Sequence, residues 1–322
     1  MAVAYARCVY DIALSVSACL RAGTHVDVAW AVATEGFPAL QLNEAMALTP
    51  GGGRIGTVLS GAANDQLAEL AGRTGAGRVV RLTIGDFEAQ LAGLPRGGEA
   101  VCLLAPAAEL PAELWDRLRE RRPVCLLARI ESSKVVEISI YDKDSVAEAG
   151  EEAARLFSRG MTDSLISPHA VTTVFWPVPK LLIVGAGPIA EALRANAELL
   201  GWQARVVTEP AAATGQVAAL AGLDSVVVIG HDHDLVGPAL MAALAGDVGY
   251  IGALGPRRLQ ESRADWLAYR GVTDLRRIHG PAGLDIGART PPEIAVAVLG
   301  EALAARARRE AGSQRDKALA TP

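Results

Sequence analysis

Hydrophobic and polar positions follow two different rhythms along this chain. Val9, Ile12, Val16 and Cys19 recur at helical spacing and predict an amphipathic first helix. Alternating or continuous apolar runs then predict strands over 26–33, 44–48 and 54–59. The last two flank the turn signal Thr49-Pro50-Gly51-Gly52-Gly53. A helix over 64–70, with Asn64 as its N-cap, precedes strands over 78–84 and 100–104. A helix over 111–120, strands over 124–130 and 135–141 and a helix over 146–157 complete this half. Strands and helices without regular alternation predict a mixed α+β domain over residues 1–165.

From residue 180 the rhythm becomes regular. Strands over 180–184, 205–207, 225–229 and 250–254 alternate with helices over 189–200, 216–221, 235–244 and 259–269. A long final helix over 291–309 starts at Pro291 or Pro292. Such alternation predicts an α/β fold, a Rossmann-like doubly wound parallel sheet, over residues 180–310. Pro168, Pro177 and Pro179 mark an expected linker over 166–179, and residues 311–322 an expected frayed, polar tail. The first of these strands runs into Gly185-Ala186-Gly187-Pro188-Ile189-Ala190. This G-x-G-x-x-A pattern between strand and helix is a dinucleotide-binding turn.

Composition narrows the function classes. Hydrophobic residues make up 51% and charged residues 21% of 322, as in a water-soluble globular protein with room for two cores. A formal charge of −5 argues against a general nucleic-acid surface. The basic run from Arg117 to Arg122 lies beside Glu113, Asp116 and Glu120, and reads as a salt-bridged helix face. Cys8, Cys19, Cys102 and Cys125 show neither metal-ligand spacing nor a secreted framework, which fits a reduced, cytoplasmic compartment. Val16-Ser17-Ala18-Cys19 resembles a lipoprotein cleavage box, but Asp11 interrupts the apolar segment and only Arg7 precedes it. No apolar run reaches the ~20 residues of a membrane span. The sequence therefore predicts neither export nor membrane insertion.

Ligands of a doubly wound sheet bind beyond the carboxyl ends of its strands. That rule selects Gly185, Gly187 and Pro188 after the first strand, and Thr208 and Glu209 after the second. Glu209 could bind a ribose or simply cap the next helix. His231 and Asp232, after the third strand, could serve in acid/base or hydrogen-bonding roles. Adjacent residues rarely share one ion, so no metal site is expected in His231-Asp232-His233-Asp234. Gly255-Pro256-Arg257-Arg258, after the fourth strand, offers a helix N-terminus and guanidiniums Arg257 and Arg258 to a phosphate, or else an exposed basic turn. Pro281 to Thr290, with Gly283, Asp285 and Gly287, is either a functional loop or a long connector. Gly187, His231, Asp232, Arg257 and Asp285 are expected to line one concavity facing the first domain.

Two long segments carry a resemblance. Tyr250-Ile251-Gly252-Ala253-Leu254-Gly255-Pro256-Arg257-Arg258, and Gly280 through Ala295, resemble the C-terminal domain of the XdhC/CoxI family, accessory proteins of molybdenum hydroxylases. His231-Asp232 matches that family's Thr-His-Asp motif, with Gly230 in place of the Thr. Residues 56–64 resemble its Gly-Ser-x-x-Gly-Gly-Cys-x-Glu motif, with Ala62 where the Cys stands. Its Asp-x-Arg after the second Rossmann strand is replaced by Thr208-Glu209-Pro210. The resemblance implies a chaperone-like maturation factor that binds molybdenum cofactor in its molybdopterin form and delivers it to a molybdenum hydroxylase apoenzyme. A cysteine desulfurase and a second copy of the chain are further partners in this reading. No catalytic residue is assigned. An NAD(P)-dependent oxidoreductase and a cofactor-free adaptor are the alternatives.

Overall fold

A computed structural model describes residues 8–37, 43–72 and 75–320, with the backbone alone over 309–320. Arg7, and the last two residues of the expected tail, lie outside the described residues. The chain divides into two compact units, Met1–Pro177 and Val178–Pro322.

In the first unit α1 (Val9–Arg21) precedes β1 (Asp27–Glu35), β2 (Ala45–Leu48) and β3 (Arg54–Gly56). α2 (Asn64–Leu70), β4 (Arg78–Ile84), α3 (Asp86–Leu91), β5 (Gly98–Pro106) and α4 (Ala112–Arg119) follow. β6 (Val124–Glu131), β7 (Lys134–Tyr141), α5 (Glu151–Ser158), β8 (Asp163–Ile166) and β9 (Ala170–Phe175) complete it. The strands form one sheet in the order β3-β2-β1-β5-β4-β7-β6-β9-β8, and every pairing is antiparallel.

Period-two alternation divides β1 between two cores. Val28, Trp30 and Val32 face the cluster built with Ile12 and Val16 of α1 and Leu114 and Leu118 of α4. Ala29 and Ala31 face a second cluster with Met46, Leu67 of α2 and Ala89 of α3. Trp30 meets Phe175 of β9 edge-on at 5.2 Å and donates from Nε1 to Thr173 Oγ1 at 3.1 Å.

Three local expectations are corrected here. The expected linker over 166–179 contains β8's last residue and all of β9, whose Val171 to Phe175 are buried; the prolines flank that strand. The single helix over 146–157 is a 3-10 turn, Val146–Ala149, followed by α5. They are separated at Gly150, whose φ of 107° no helix accepts. Asn64 begins α2 instead of capping it, because its Oδ1 accepts from the Val58 amide at 3.0 Å.

The second unit runs β10 (Lys180–Val184), α6 (Pro188–Leu199), β11 (Gln203–Val207), α7 (Pro210–Ala218), β12 (Ser225–Val228), α8 (His233–Ala245), β13 (Tyr250–Ala253), α9 (Arg257–Ala268), β14 (Ile278–His279) and α10 (Pro291–Ala320). All pairings are parallel, in the order β11-β10-β12-β13-β14. Leu182, Val184, Val226, Val228 and Ile251 pack on α7, α8 and α9. Leu181, Ile183, Val227 and Tyr250 pack on α6 and α10. Helices on both faces make this a doubly wound sheet, with its switch point between β10 and β12. The helix expected over 216–221 is instead α7, started by Pro210 at its first turn. α10 continues to Ala320, so residues 311–320 are helical where a frayed tail was expected.

Candidate functional site

Strand register brings the selected loops onto one line. Val184 is level with Val207 on one side and Val228 on the other, and Val228 with Ala253. Residues just beyond the strands extend the ladder. Gly185 donates to Val207 at 2.9 Å, Ile229 to Val184 at 2.8 Å, Leu254 to Val228 at 3.0 Å and Ala282 to Ala253 at 3.0 Å. Five connections therefore leave one sheet edge, with neighbouring strands about 4.8 Å apart.

The two glycines of the turn have separate tasks. Gly185 is buried at φ +121°, and a Cβ there would stand 2.3 Å from the Ile229 carbonyl oxygen. Its lack of a side chain lets the β10 and β12 loops touch. Gly187, at φ +113° and ψ −178°, is the N-cap of α6, and a Cβ there would meet nothing within 4 Å. It leaves open space before the helix. Ala190 is fully buried where α6 meets the sheet.

The helix N-termini at this edge fall into two kinds. α7 and α8 are closed by their own carboxylates. Glu209 accepts from the Ala211 and Ala212 amides at 3.0 and 2.5 Å, and Asp232 from the Asp234 amide at 2.9 Å. Of the two readings of Glu209, helix capping is the one its contacts display. α6 and α9 have no side-chain cap. Their first amides face outward with the positive end of the helix dipole, the arrangement that receives an anion. Arg257 and Arg258 are exposed on the first turn of α9, and their guanidiniums bond to no described residue. His231 and Asp285 are likewise exposed and unbonded among the described residues, and Thr208 and Pro188 are exposed at their loops. His233 faces α9, with Nε2 3.1 Å from Ser262 Oγ and its ring stacked on Trp266.

Two side chains outside the sequence selection hold the loops. Arg263 of α9 is only 4% exposed. Its guanidinium donates to the Gly230 carbonyl at 2.8 Å, the Leu254 carbonyl at 2.7 Å and Gln260 Oε1 at 3.1 Å, so one cation clasps the β12 and β13 loops. Burial pushes its pKa down to about 10. Glu301 of α10 accepts from Tyr250 Oη at 2.7 Å and the Gly283 amide at 2.8 Å, and lies 3.1 Å from His279 Nδ1. Burial alone would raise its pKa, but these bonds outweigh it and hold the carboxyl below its ordinary 4.5. Burial and the Glu301 carboxylate push the Tyr250 hydroxyl well up.

The loop before α10 is therefore anchored at Gly283, where φ is +112°. It closes at Thr290-Pro291-Pro292-Glu293, with Glu293 accepting from the Arg289 and Thr290 amides at 2.8 and 2.9 Å. Asp285 and Gly287 lie on its exposed middle. Buried arginines and glutamates at helix positions of mixed polarity give no periodic signal. Only the Thr-x-x-Glu pattern was available in advance, as a cap.

In the first unit, the segment resembling the family's cysteine motif forms a tight turn. Leu59, Ser60 and Gly61 all have positive φ, at 54°, 53° and 101°. Glu44 Oε2 accepts from the Ser60 amide at 2.7 Å, and burial pushes the Glu44 carboxyl up. Ala62 is half-buried beside this turn. Among the described residues no three His, Cys, Asp or Glu side chains converge to hold a metal, and no helix is long and apolar enough to cross a membrane.

Known proteins give three comparisons. The uncharacterized protein YqeB of Escherichia coli K12 is 28% identical over 180 residues, 49% of this chain and 32% of that protein. This chain thus spans about a third of YqeB's length. A crystal structure described as a xanthine dehydrogenase from Bacillus halodurans is 19% identical, with 92% of this chain and 96% of that chain covered and a TM-score of 0.46. Residues 181–302 match the family model of the XdhC Rossmann domain, a span that takes in the G-x-G-x-x-A turn, all five strands of the parallel sheet and Glu301. The match is to this domain, and residues 181–302 are similar to XdhC Rossmann domains.

Proposed function

We propose that the protein is a maturation factor for a molybdenum hydroxylase, and that it holds molybdenum cofactor at the carboxyl edge of its parallel sheet until the apoenzyme receives it. The likeness of residues 181–302 to the XdhC Rossmann domain supports the maturation role. The cofactor reading is carried by one observation: α6 and α9 present uncapped N-termini at this edge, while α7 and α8 are capped from within.

Molybdopterin ends in a phosphate, and the available groups suit one. The Ile189 and Ala190 amides of α6 lie beside the open space at Gly187, and Arg257 and Arg258 flank the amides of α9. When bound, the cofactor would supply the oxygen-transfer chemistry of the client. This chain's residues bind and orient it. Arg263 fixes the spacing of the β12 and β13 loops, and Glu301 fixes the loop that carries Asp285. The NAD(P) alternative has less support, because both oxygens of Glu209, its ribose-binding candidate, are engaged by α7.

The test is molybdopterin retention by the purified protein, followed by the cofactor's absorbance after gel filtration. Arg257→Ala combined with Arg258→Ala should weaken retention by about tenfold, the scale of a lost charge-assisted bond at an exposed site. Equal retention by variant and wild type would remove this edge as the binding site. Retention of NADPH in preference to molybdopterin would favour the oxidoreductase alternative.

A further inference from the structure

A second ligand site lies wholly within the first unit, where β4 and β7 are joined through one residue pair, Arg78 and Lys134. A cavity of about 520 Å³ opens there, between the start of β4 and the β6–β7 turn. Opposed residues of an antiparallel pair put their side chains on one face, so the junction sets two cations side by side. Among the described residues neither cation forms an ion pair, and no acidic residue lines the cavity. Glu109, the acid nearby in the same corner, accepts from the Gly77 amide at 2.8 Å.

Arg78 is fixed in place without being satisfied. Its Nη2 donates to the Leu70 carbonyl, at the end of α2, at 2.6 Å. Nη1 and Nε have no acceptor among the described residues, and Nε is withdrawn from solvent. A buried N–H of a cation is costly to leave unpaired, and an anion seated against the guanidinium offsets that cost. The turn adds further donors. Ser132 and Ser133 both adopt left-handed φ, 49° and 69°, where two-residue hairpin turns favour Asn-Gly. Serine is strained at such positions, yet each lines the cavity and brings a hydroxyl. Most of the remaining wall is apolar and includes the half-buried Val79 and Val80. A highly charged, hydrated polyanion would leave that apolar surface unused. A planar guanidinium instead matches the two oxygens of a carboxylate.

We infer that this cavity binds a monocarboxylate carried on an apolar body, an aliphatic or aromatic acid. Arg78 and Lys134 hold the carboxylate, and Val79 and Val80 pack on the body. The site stands on the first unit alone, and does not depend on the cofactor reading above.

Calorimetric titration of the full chain with octanoate, 2-naphthoate, acetate, 1-octanol and 2-naphthol tests it. Octanoate or 2-naphthoate should bind, and the one that binds tells whether a chain or a ring fills the apolar part. Acetate lacks the body and the alcohols lack the charge, so each should bind at least about tenfold more weakly. Arg78→Gln should weaken binding of the acid at least about tenfold, as expected for loss of a charge-assisted bond. Should that variant fail to fold, Lys134→Glu decides. Lys134 is exposed at the start of β7, and reversing its charge should also weaken binding about tenfold. Absence of binding by both acids, equal binding of acetate or of the matching alcohol, or full affinity in a folded Arg78→Gln or in Lys134→Glu would each overturn the inference. None of these ligands carries phosphate or molybdenum, so failure here leaves molybdopterin retention at the second unit unaffected.

Discussion

Gly185 and Gly187 stand two residues apart and answer to different demands. The first is required by the Ile229 carbonyl 2.3 Å from where its Cβ would be, the second by its backbone angles before open space. Gly185→Ala should destabilise the second unit by more than ~3 kcal/mol, since strain and a backbone clash add. Gly187→Ala should cost about 1–3 kcal/mol from its conformation alone while narrowing the approach to α6. Chemical denaturation of both variants checks this, and equal losses would contradict the division of roles. Arg263 offers a sharper case. Arg263→Met keeps the apolar stem but leaves the Gly230 and Leu254 carbonyls without their donor, at a cost of about 2–4 kcal/mol. A loss below ~1 kcal/mol would mean that water replaces the guanidinium there.

At the scale of elements, much of the fold was legible wherever local pattern and packing agreed. The strands Arg78–Ile84 and Lys180–Val184 and the helix Asn64–Leu70 lie within the bounds their periodicity implied. Pattern misled where local signals competed. Prolines around β9 suggested a connector, although its β-branched run is buried in the sheet. The alanine-rich start of α7 has no apolar period, so the helix looked later and shorter than it is. The clasp of Glu301 was illegible for another reason: it gathers Tyr250, His279 and Gly283, which are 51, 22 and 18 residues away and meet only after folding. This clasp predicts a pH dependence. Glu301 titrates lower in the folded chain than its ordinary 4.5, so its contribution is complete above that value and is lost as pH falls through the folded-state value. Glu301→Gln should therefore be less stable at neutral pH and lose less stability on acidification. Parallel acid-unfolding curves for variant and wild type would refute it.

On the scale of the whole molecule, each unit carries its own core. The two clusters of the second unit contain no residue before Leu181, so residues 178–322 expressed alone should unfold in one cooperative transition; a broad, non-cooperative melt would show dependence on the first unit. The chain's thiols set a further limit on its chemistry. A protein that carries sulfur covalently to a cofactor needs an accessible cysteine that ionises near neutral pH. Burial pushes Cys102 up to about 12 and Cys125 up to about 11. Cys8 is also pushed to about 11 by burial, with the Asp11 carboxylate adding to the effect. A raised pKa leaves these groups as thiols at pH 7, and Ala62 stands where the motif that residues 56–64 resemble has its cysteine. Cys19, half-buried on α1, is the remaining thiol. Incubation with a cysteine desulfurase and cysteine should therefore leave Cys8, Cys102 and Cys125 unmodified by mass spectrometry. Any sulfur added at Cys19 should be dispensable, with Cys19→Ser supporting client activation as well as wild type. A persulfide on any of the four whose loss abolishes activation of the client would make this protein a sulfur carrier, and would shift the search for its active centre from the sheet edge to that thiol.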